Sequence, residues 1–125
     1  MIIHSFDPGF NTGYVKFDTT TMKLKEGKVL TNEREIMQVI FSIKKKDLVI
    51  IENRHGTLST EPQFVMCELV GNIKYTCDFL RINRVCQSPL VRRGYLVTAK
   101  KIINQRHLTD AMAHVLRFID KELII

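Results

Sequence analysis

The sequence predicts an α/β fold in which a mixed five-stranded sheet is flanked by helices. Three observations favour this class: strand patterns fill the N-terminal third, strand and helix patterns alternate after it, and "LVII" (residues 48–51) is a continuous apolar run of strand length. The chain has 125 residues, which is enough for one core, and neither a linker composition nor an internal repeat divides it. We therefore expect a single domain over residues 1–125.

The predicted strands are apolar runs bounded by turn residues. Residues 2–7 form the first, and the turn "PGFNTG" reverses the chain into a second strand at residues 13–18. A third strand near residues 23–30 completes an antiparallel N-terminal meander. The remaining two strands are predicted at residues 47–52 ("DLVIIE") and 82–87 ("INRVCQ").

The predicted helices are identified by their capping residues and by apolar side chains that recur on one face. Asn32 starts the first helix, which we expect to end near Lys46 because residues 44–46 are all lysine and cations complement the carboxyl end of a helix dipole. Thr60 caps a long second helix whose apolar spacing continues to Leu80. Two C-terminal helices are predicted at residues 98–104 and 108–123.

The composition excludes several classes of protein. With 45% apolar and 26% charged residues the chain is typical of a soluble globule and not of a disordered protein. Its N-terminus has no apolar run long enough to span a bilayer and no secretory pattern, so we expect a cytoplasmic protein without a membrane partner. The cysteines Cys67, Cys77 and Cys86 fit neither a zinc knuckle nor a disulfide framework, and we expect them to be buried and reduced.

Positive charge is concentrated in one stretch, residues 79–109, which we call the basic window. The formal net charge of the chain is +6, and this window contains no Asp or Glu. Its cations are Arg81, Arg84, Arg92, Arg93, Lys100, Lys101 and Arg106. A local positive field of this kind is expected of a phosphate-binding surface, although a solvated basic face would give the same pattern.

Four side chains are candidate ligands of a divalent cation. Asp7 ends the first strand and Glu52 ends the fourth, so both carboxylates emerge at one sheet edge if these strands are parallel neighbours. His107 and Asp110 are three residues apart at the start of the last helix and therefore lie on one side of it. Three of them have an ordinary alternative: Asp7 can form a turn, Asp110 can complement the helix dipole, and His107 can flank the helix cap.

A cluster of carboxylates makes chemical sense around a cation, because like charges at short distance otherwise repel and take up protons. Mg²⁺ prefers oxygen ligands and binds phosphate oxygens at its open positions, and Mn²⁺ is expected to substitute. Two such ions about 4 Å apart would activate a water and stabilise the leaving oxygen of a phosphodiester. Phosphodiester hydrolysis would thus connect the acidic edge to the basic window.

Three motifs, "FDPGFNTGY", "VIIENR" and "HLTDAMAHVL", occur in an order and at intervals that resemble the Holliday-junction resolvases of the RuvC family. The short chain is most similar to the compact RuvC enzymes of lactococcal bacteriophages. The resemblance implies an RNase H-like fold and a crossover junction endodeoxyribonuclease, a hydrolase of DNA recombination. It further implies a Mg²⁺-dependent homodimer that cuts four-way junctions, with forks and flaps as further substrates, in the host cytoplasm if phage-encoded.

The resemblance also implies roles for individual residues. The catalytic and metal-binding residues would be Asp7, Glu52, His107 and Asp110, with His107 at a position where many members have Asp. His55 stands where cellular members place an aromatic side chain that stacks on an opened base. The substrate-binding residues would be His55, Arg54, Arg92, Arg93, Lys100 and Lys101. Gly71 in "CELVGNIKY" would let two copies of the second helix approach closely, or is a tolerated helix defect.

Three alternatives explain parts of the same pattern. A junction-binding protein without nuclease activity would account for the basic window and leave the acids as caps and turns. "DPGFNTG" also resembles the phosphate-binding turn of actin-like ATPases and sugar kinases, but those proteins need two such halves and 125 residues hold one. An RNA-processing nuclease of the same superfamily would use the same acids on a different substrate.

Overall fold

The computed structural model describes residues 1–53 and 61–123, without the side chains of residues 61–64. The predicted helix cap Thr60 and the candidate DNA-binding residues Arg54 and His55 lie outside the described residues. The strands are β1 (Ile2–Asp7), β2 (Thr12–Asp18), β3 (Lys23–Leu30), β4 (Leu48–Glu52) and β5 (Asn83–Gln87). The helices are α1 (Glu33–Ser42), α2 (Glu61–Phe79), a 3₁₀ turn (Pro89–Gly94), α3 (Leu96–Ile102) and α4 (Arg106–Lys121).

The five strands form one mixed sheet in the order β3-β2-β1-β4-β5. β1, β2 and β3 pair antiparallel, which confirms the predicted meander, whereas β4 runs parallel to both β1 and β5. The register sets Phe6 beside Ile51, so β1 and β4 end together at one edge of the sheet. The predicted mixed five-stranded sheet flanked by helices is therefore confirmed, as is the parallel pairing on which the site prediction depends.

Helices cover both faces of the sheet and enclose two apolar layers. Because side chains alternate along a strand, β4 serves both layers: Val49 and Ile51 pack with α1 and α2, while Leu48 and Ile50 pack with α3 and α4. All four side chains are buried. This double burial is the physical reason for the uninterrupted apolar run in the sequence.

The first helix begins as predicted but ends earlier. The Asn32 side chain accepts a hydrogen bond from the backbone N–H of Glu35 and caps α1. The helix ends at Ser42 and not near Lys46, because Ile43 turns to an extended conformation (φ −76°, ψ 135°) and becomes buried in the core. The exposed residues 44–46 therefore lead into β4 and do not lie on the last turn of a helix.

The C-terminal third contains one element that the sequence did not predict. Residues Pro89–Gly94 form a 3₁₀ turn whose first residues are capped by the Ser88 side chain, which accepts a hydrogen bond from the backbone N–H of Leu90. The turn leads directly into α3, which begins two residues earlier than predicted, as α4 also does. It places Arg92 beside the start of α4, with consequences for the site described below.

The cysteines and the apolar character of the helices test two predictions made from composition. All three cysteines are free thiols, but of these only Cys77 is buried, and burial raises the pKa of its thiol to about 11. The expectation of burial is wrong for Cys67 and Cys86, which are half-buried; Cys86 lies on β5, an edge strand that its neighbours cover incompletely. Among the helices of the described ranges, none is long and apolar enough to cross a membrane.

Candidate active site

The candidate site is built where β1 and β4 end side by side and α4 crosses them. The hydroxyl of Ser5 in β1 donates a hydrogen bond to the backbone carbonyl of Ala111 in α4, at 2.8 Å. Gly13, the register partner of Asp7, lies against the backbone of His107, where a Cβ would overlap the His107 carbonyl. The close backbone contact holds the start of α4 beside the end of β1, and it requires glycine.

Asp7, His107 and Asp110 line the same open cavity of about 460 Å³, together with Arg92 and Arg106. Asp7 is 7% exposed. Burial raises the pKa of Asp110, Arg92 opposes that shift, and the nearby Asp7 adds to it. The structure thus brings together three of the four residues that the sequence predicted as metal ligands.

Glu52, the fourth predicted ligand, lies behind this cavity in the protein interior. Glu52 is fully buried, and within the described ranges neither of its carboxylate oxygens has a hydrogen-bond partner. Two groups approach it: Arg92 Nε lies 3.3 Å from Oε1, and His114 Nε2 lies 3.8 Å from Oε2. A carboxylate buried in this way is destabilising for the fold unless a positive charge compensates it.

Arg92 supplies that compensation. Its Nη1 lies 2.8 Å from Asp110 Oδ2, so one guanidinium bridges Asp110 and Glu52. Its Nε donates a hydrogen bond to the Pro89 carbonyl at 3.1 Å, which fixes the side chain over its own 3₁₀ turn. Arg92, which was predicted to bind DNA, therefore contacts the carboxylates directly. The sequence did not indicate this contact.

His114 is a further buried group of the site that sequence reasoning missed. It is fully buried in α4, and its Nδ1 lies 2.7 Å from Oε1 of Gln87. Burial lowers the pKa of His114 to about 4, so the imidazole is neutral at physiological pH. The signal was present, since His107, Asp110 and His114 follow the i, i+3, i+7 spacing of one helix face.

The other predicted DNA-binding cations have different surroundings. Arg93, Lys100 and Lys101 are exposed on the 3₁₀ turn and α3. Arg84, by contrast, pairs with Asp78 at 2.8 Å and is partly neutralised. The exposed cations of the basic window are therefore Arg81 and, after Arg92, Arg93, Lys100, Lys101 and Arg106, of which Arg106 lines the cavity with the carboxylates.

The donor chemistry of the site fits a hard divalent cation. It offers carboxylate oxygens and one imidazole, and Glu52 has two buried oxygens with no hydrogen-bond partner among the described residues. With Arg92 in place, however, no three of the described His, Cys, Asp or Glu side chains (residues 1–53 and 65–123) converge closely enough to hold a metal ion. Arg92 occupies the position between carboxylates at which a cation would neutralise them.

Comparison with known proteins identifies the fold. No protein-family model and no curated protein matches the chain. The structure of T. thermophilus RuvC in complex with a Holliday junction substrate superposes with a TM-score of 0.75 over 97% of this chain and 95% of that chain, at 14% sequence identity. The chain has a RuvC-like fold. A second Thermus thermophilus RuvC structure matches with a TM-score of 0.63, over 97% and 96% of the two chains, also at 14% identity.

The RuvC-like fold confirms the RNase H-like architecture expected from the three sequence motifs. The likeness covers nearly the whole of both chains, so the five strands and the helices around them belong to one shared arrangement. At 14% sequence identity, this likeness shows a shared fold and nothing more.

Proposed function

We propose that the chain is a metal-dependent, structure-selective endodeoxyribonuclease that binds and cuts branched DNA, chiefly four-way (Holliday) junctions, by phosphodiester hydrolysis. The observation that carries the proposal is that Asp7, His107 and Asp110 line one cavity. Glu52 ends the strand parallel to β1, is buried behind this cavity, and is linked to Asp110 through Arg92. The RuvC neighbour in complex with a Holliday junction substrate supports this substrate class.

Mg²⁺ is the proposed cofactor, with Mn²⁺ as a substitute, and Asp7, Glu52, His107 and Asp110 would hold it. When bound, it would supply an activated water and stabilise the leaving oxygen of the phosphodiester. Arg92 is expected to leave the carboxylates when a cation replaces it. Its guanidinium would then pair with a DNA phosphate, for which its planar fork is suited.

The exposed cations beside the site would bind the DNA backbone. Arg93, Lys100 and Lys101 project from the 3₁₀ turn and α3, and Arg106 lines the cavity that contains Asp7. Contacts of lysine and arginine with phosphates position a duplex without reading its sequence. Arg54 and His55 complete the proposed DNA-binding set, and His55 would stack on an opened base.

The proposal includes the domain and the assembly. Residues 1–125 would form a single nuclease domain, and two copies of the chain would form a homodimer through contacts between their α2 helices. Support comes from the outer surface of α2, where, apart from the adjoining residues and backbone of the helix itself, no described atom lies within 4 Å of a Cβ built on Gly71. Nearby, Tyr75 and Phe79 are 71% and 72% exposed, and their rings stack with centroids 6.4 Å apart. Exposed aromatic side chains of this size are common at protein interfaces. On the three sequence motifs, we extend the proposal to kinship with the lactococcal phage enzymes, which would act in the host cytoplasm.

The first experiment tests cutting directly. Purified protein is incubated with a synthetic four-way junction in Mg²⁺ or in EDTA, with a linear duplex and an RNA duplex of the same sequence as controls. We expect symmetric nicks in the junction in Mg²⁺ and binding without cutting in EDTA. Binding without metal-dependent nicking would indicate a junction-binding protein, and preferential cutting of the RNA would indicate an RNA-processing nuclease.

Asp7→Asn tests the assignment of the acidic residues. Cutting should fall by about a thousandfold or more, because a bound divalent cation contributes several kcal/mol to the transition state and each ~1.4 kcal/mol is a factor of ten. Junction binding in EDTA should persist, and stability should stay equal or rise as like-charge repulsion is relieved. Asp18→Asn is the matched control, since Asp18 pairs with Ile2 at the opposite end of the sheet and should not affect cutting.

A further inference from the structure

We infer that Gln87 and His114 form a buried pair that positions the Glu52 carboxylate for metal binding. This rests on the proposed nuclease function, because Glu52 is a proposed ligand there. Neither Gln87 nor His114 would touch the substrate, so both are positioning residues.

The pair joins β5 to α4 beside the end of β4. Gln87 ends β5 and is the register partner of Glu52 at the end of β4, so the two side chains emerge next to each other on the same face of the sheet. His114 of α4 packs over both of them. All three residues are less than 10% exposed: Gln87 is 8% exposed, and Glu52 and His114 are fully buried.

A hydrogen bond fixes the orientation of the imidazole. His114 Nδ1 and Gln87 Oε1 are 2.7 Å apart, which anchors one edge of the ring. The opposite edge faces Glu52, with Nε2 at 3.8 Å from Oε2, and in the described part of the chain Nε2 has no hydrogen-bond partner. Because an amide can donate as well as accept, rotation of the Gln87 amide lets Nε2 carry the ring proton and point it at Glu52.

The position of His114 differs from that of Arg92 in one respect that decides its role. Arg92 also contacts Asp110, so it stands where the proposed cation would have to bind. His114 lies near the other carboxylate oxygen of Glu52, Oε2, on the side of the protein interior. It would remain there after Arg92 has left. It is then the polar group that restrains Glu52 in the metal-bound site, a role that outer partners of metal ligands commonly have.

A purely structural role predicts a different behaviour. If His114 only fills space under the sheet edge, then an aliphatic side chain of similar volume would serve equally well and the metal would bind unchanged. If it positions Glu52, the polar edge at Nε2 is what matters. A glutamine can place its amide nitrogen near the Nε2 position, whereas an asparagine reaches only the Nδ1 position beside Gln87.

The experiment measures Mn²⁺ affinity in the full-length protein without DNA, from the decrease of the free-Mn²⁺ electron paramagnetic resonance signal. His114→Leu should weaken Mn²⁺ binding by about 10- to 100-fold, the usual effect of losing an outer partner of a metal ligand. His114→Gln should stay within a few-fold of wild type, and His114→Asn should resemble His114→Leu. His4→Leu, a buried histidine at the other end of the sheet, is the matched control and should leave Mn²⁺ affinity unchanged.

Wild-type Mn²⁺ affinity in His114→Leu, or equal losses in the Gln and Asn variants, would overturn the inference. If His114→Leu does not fold, as judged by thermal melting, the comparison of Gln with Asn decides. The test is separable from the proposed function. Wild-type protein that binds Mn²⁺ but cuts no junction refutes the nuclease and leaves the positioning role intact, whereas a cutting wild type with an unaffected His114→Leu variant refutes the positioning role alone.

Discussion

Two buried pairs of a histidine and an acid lie at opposite ends of β4, and they are built differently. Before the strand begins, His4 Nε2 lies 2.9 Å from Asp47 Oδ2 and His4 Nδ1 lies 2.8 Å from the Tyr14 hydroxyl, so both ring nitrogens are hydrogen-bonded. Where the strand ends, His114 Nε2 stays 3.8 Å from Glu52 Oε2. The histidine and the acid of the first pair are hydrogen-bonded to each other, whereas those of the second pair are not.

We propose that this difference distinguishes a structural pair from one that serves metal binding. Buried polar groups that find all their partners stabilise a unique core, whereas a buried carboxylate without hydrogen bonds destabilises the fold. A protein retains such a carboxylate where its chemistry is needed. Under the proposed function, the two ends of one strand would divide the tasks of holding the sheet together and of binding a cation, and each could be changed without the other.

The largest expected effect comes from Glu52→Gln, which removes the buried negative charge and keeps the side-chain shape. Cutting of a four-way junction should fall by about a thousandfold or more, for the reason given for Asp7. The free energy of unfolding should change little, because the buried charge and its pairing with Arg92 are lost together, while Arg92 keeps its partner Asp110. Single-turnover cleavage and urea denaturation measure the two quantities. A variant that cuts like wild type would remove Glu52 from the site.

Asp47→Ala should reduce stability and leave cutting unchanged, the opposite of the effect expected for Glu52→Gln. It leaves His4 Nε2 buried without its partner, so stability should fall by about 1–3 kcal/mol, while the folded fraction cuts at the wild-type rate. Urea denaturation and cleavage assays at low temperature check both. Asp78→Ala is the control, because Asp78 forms an exposed pair with Arg84 and its loss should change stability little. Equal destabilisation by both variants would contradict the structural role of the His4–Asp47 pair.

A comparison of exposed lysines tests whether the two ends of the sheet also differ in DNA binding. Replacing Lys100 and Lys101 by Ala should reduce the slope of log K against log salt by up to about 2, at roughly 0.9 per phosphate contact. Replacing Lys44 and Lys45, which are exposed just before β4, removes the same charge and should leave the slope nearly unchanged. Fluorescence anisotropy with a labelled junction in EDTA gives both slopes. Equal slopes in the two variants would mean that charge alone determines binding.

The smallest effect is a pH dependence of stability that originates at the structural pair. Burial lowers the pKa of His4 below its ordinary value of 6.5, with Asp47 and Glu26 opposing the shift and Lys16 adding to it. The folded state therefore binds fewer protons than the unfolded state, so stability is full above pH 6.5 and decreases below it, by at most about 1.4 kcal/mol per pH unit for one group.

His4→Gln provides the measurement for this pH effect. Urea denaturation between pH 8 and 5 should show a shallower loss of stability in the variant than in the wild type. The slope should not vanish, because the buried His114 contributes with the same sign. Parallel curves for the variant and the wild type would show that His4 is not the group responsible.

Much of the architecture could be predicted because local signals agreed with the fold. The apolar run of β4, the Asn32 cap and the Pro-Gly turn after β1 each have a direct physical reason, and together they led to the parallel pairing of β1 with β4. The end of α1 could not be predicted in the same way. Lysines at residues 44–46 suit a helix terminus, and only the burial of Ile43 in the tertiary structure ends the helix earlier.

The candidate site was predictable where it follows from strand ends, which explains Asp7 and Glu52. His114 was missed because a single histidine among apolar helix residues resembles an ordinary core position. The contact of Arg92 with the carboxylates was missed for another reason: it depends on the 3₁₀ turn Pro89–Gly94, whose sequence carries no periodic pattern. Long-range partners of this kind are set by how elements dock and not by spacing along the chain.

The backbone contact between Gly13 and His107 has a consequence for how sequences of this kind can diverge. Every residue other than glycine would place a Cβ against the His107 carbonyl, so no substitution at position 13 is compatible with α4 lying beside Asp7. Position 13 should therefore stay glycine throughout a lineage that keeps the site, for a reason of volume alone. Gly94, with open space around it, should drift freely. Gly71 has the same open space, and it should drift too unless a second copy of the chain packs against it.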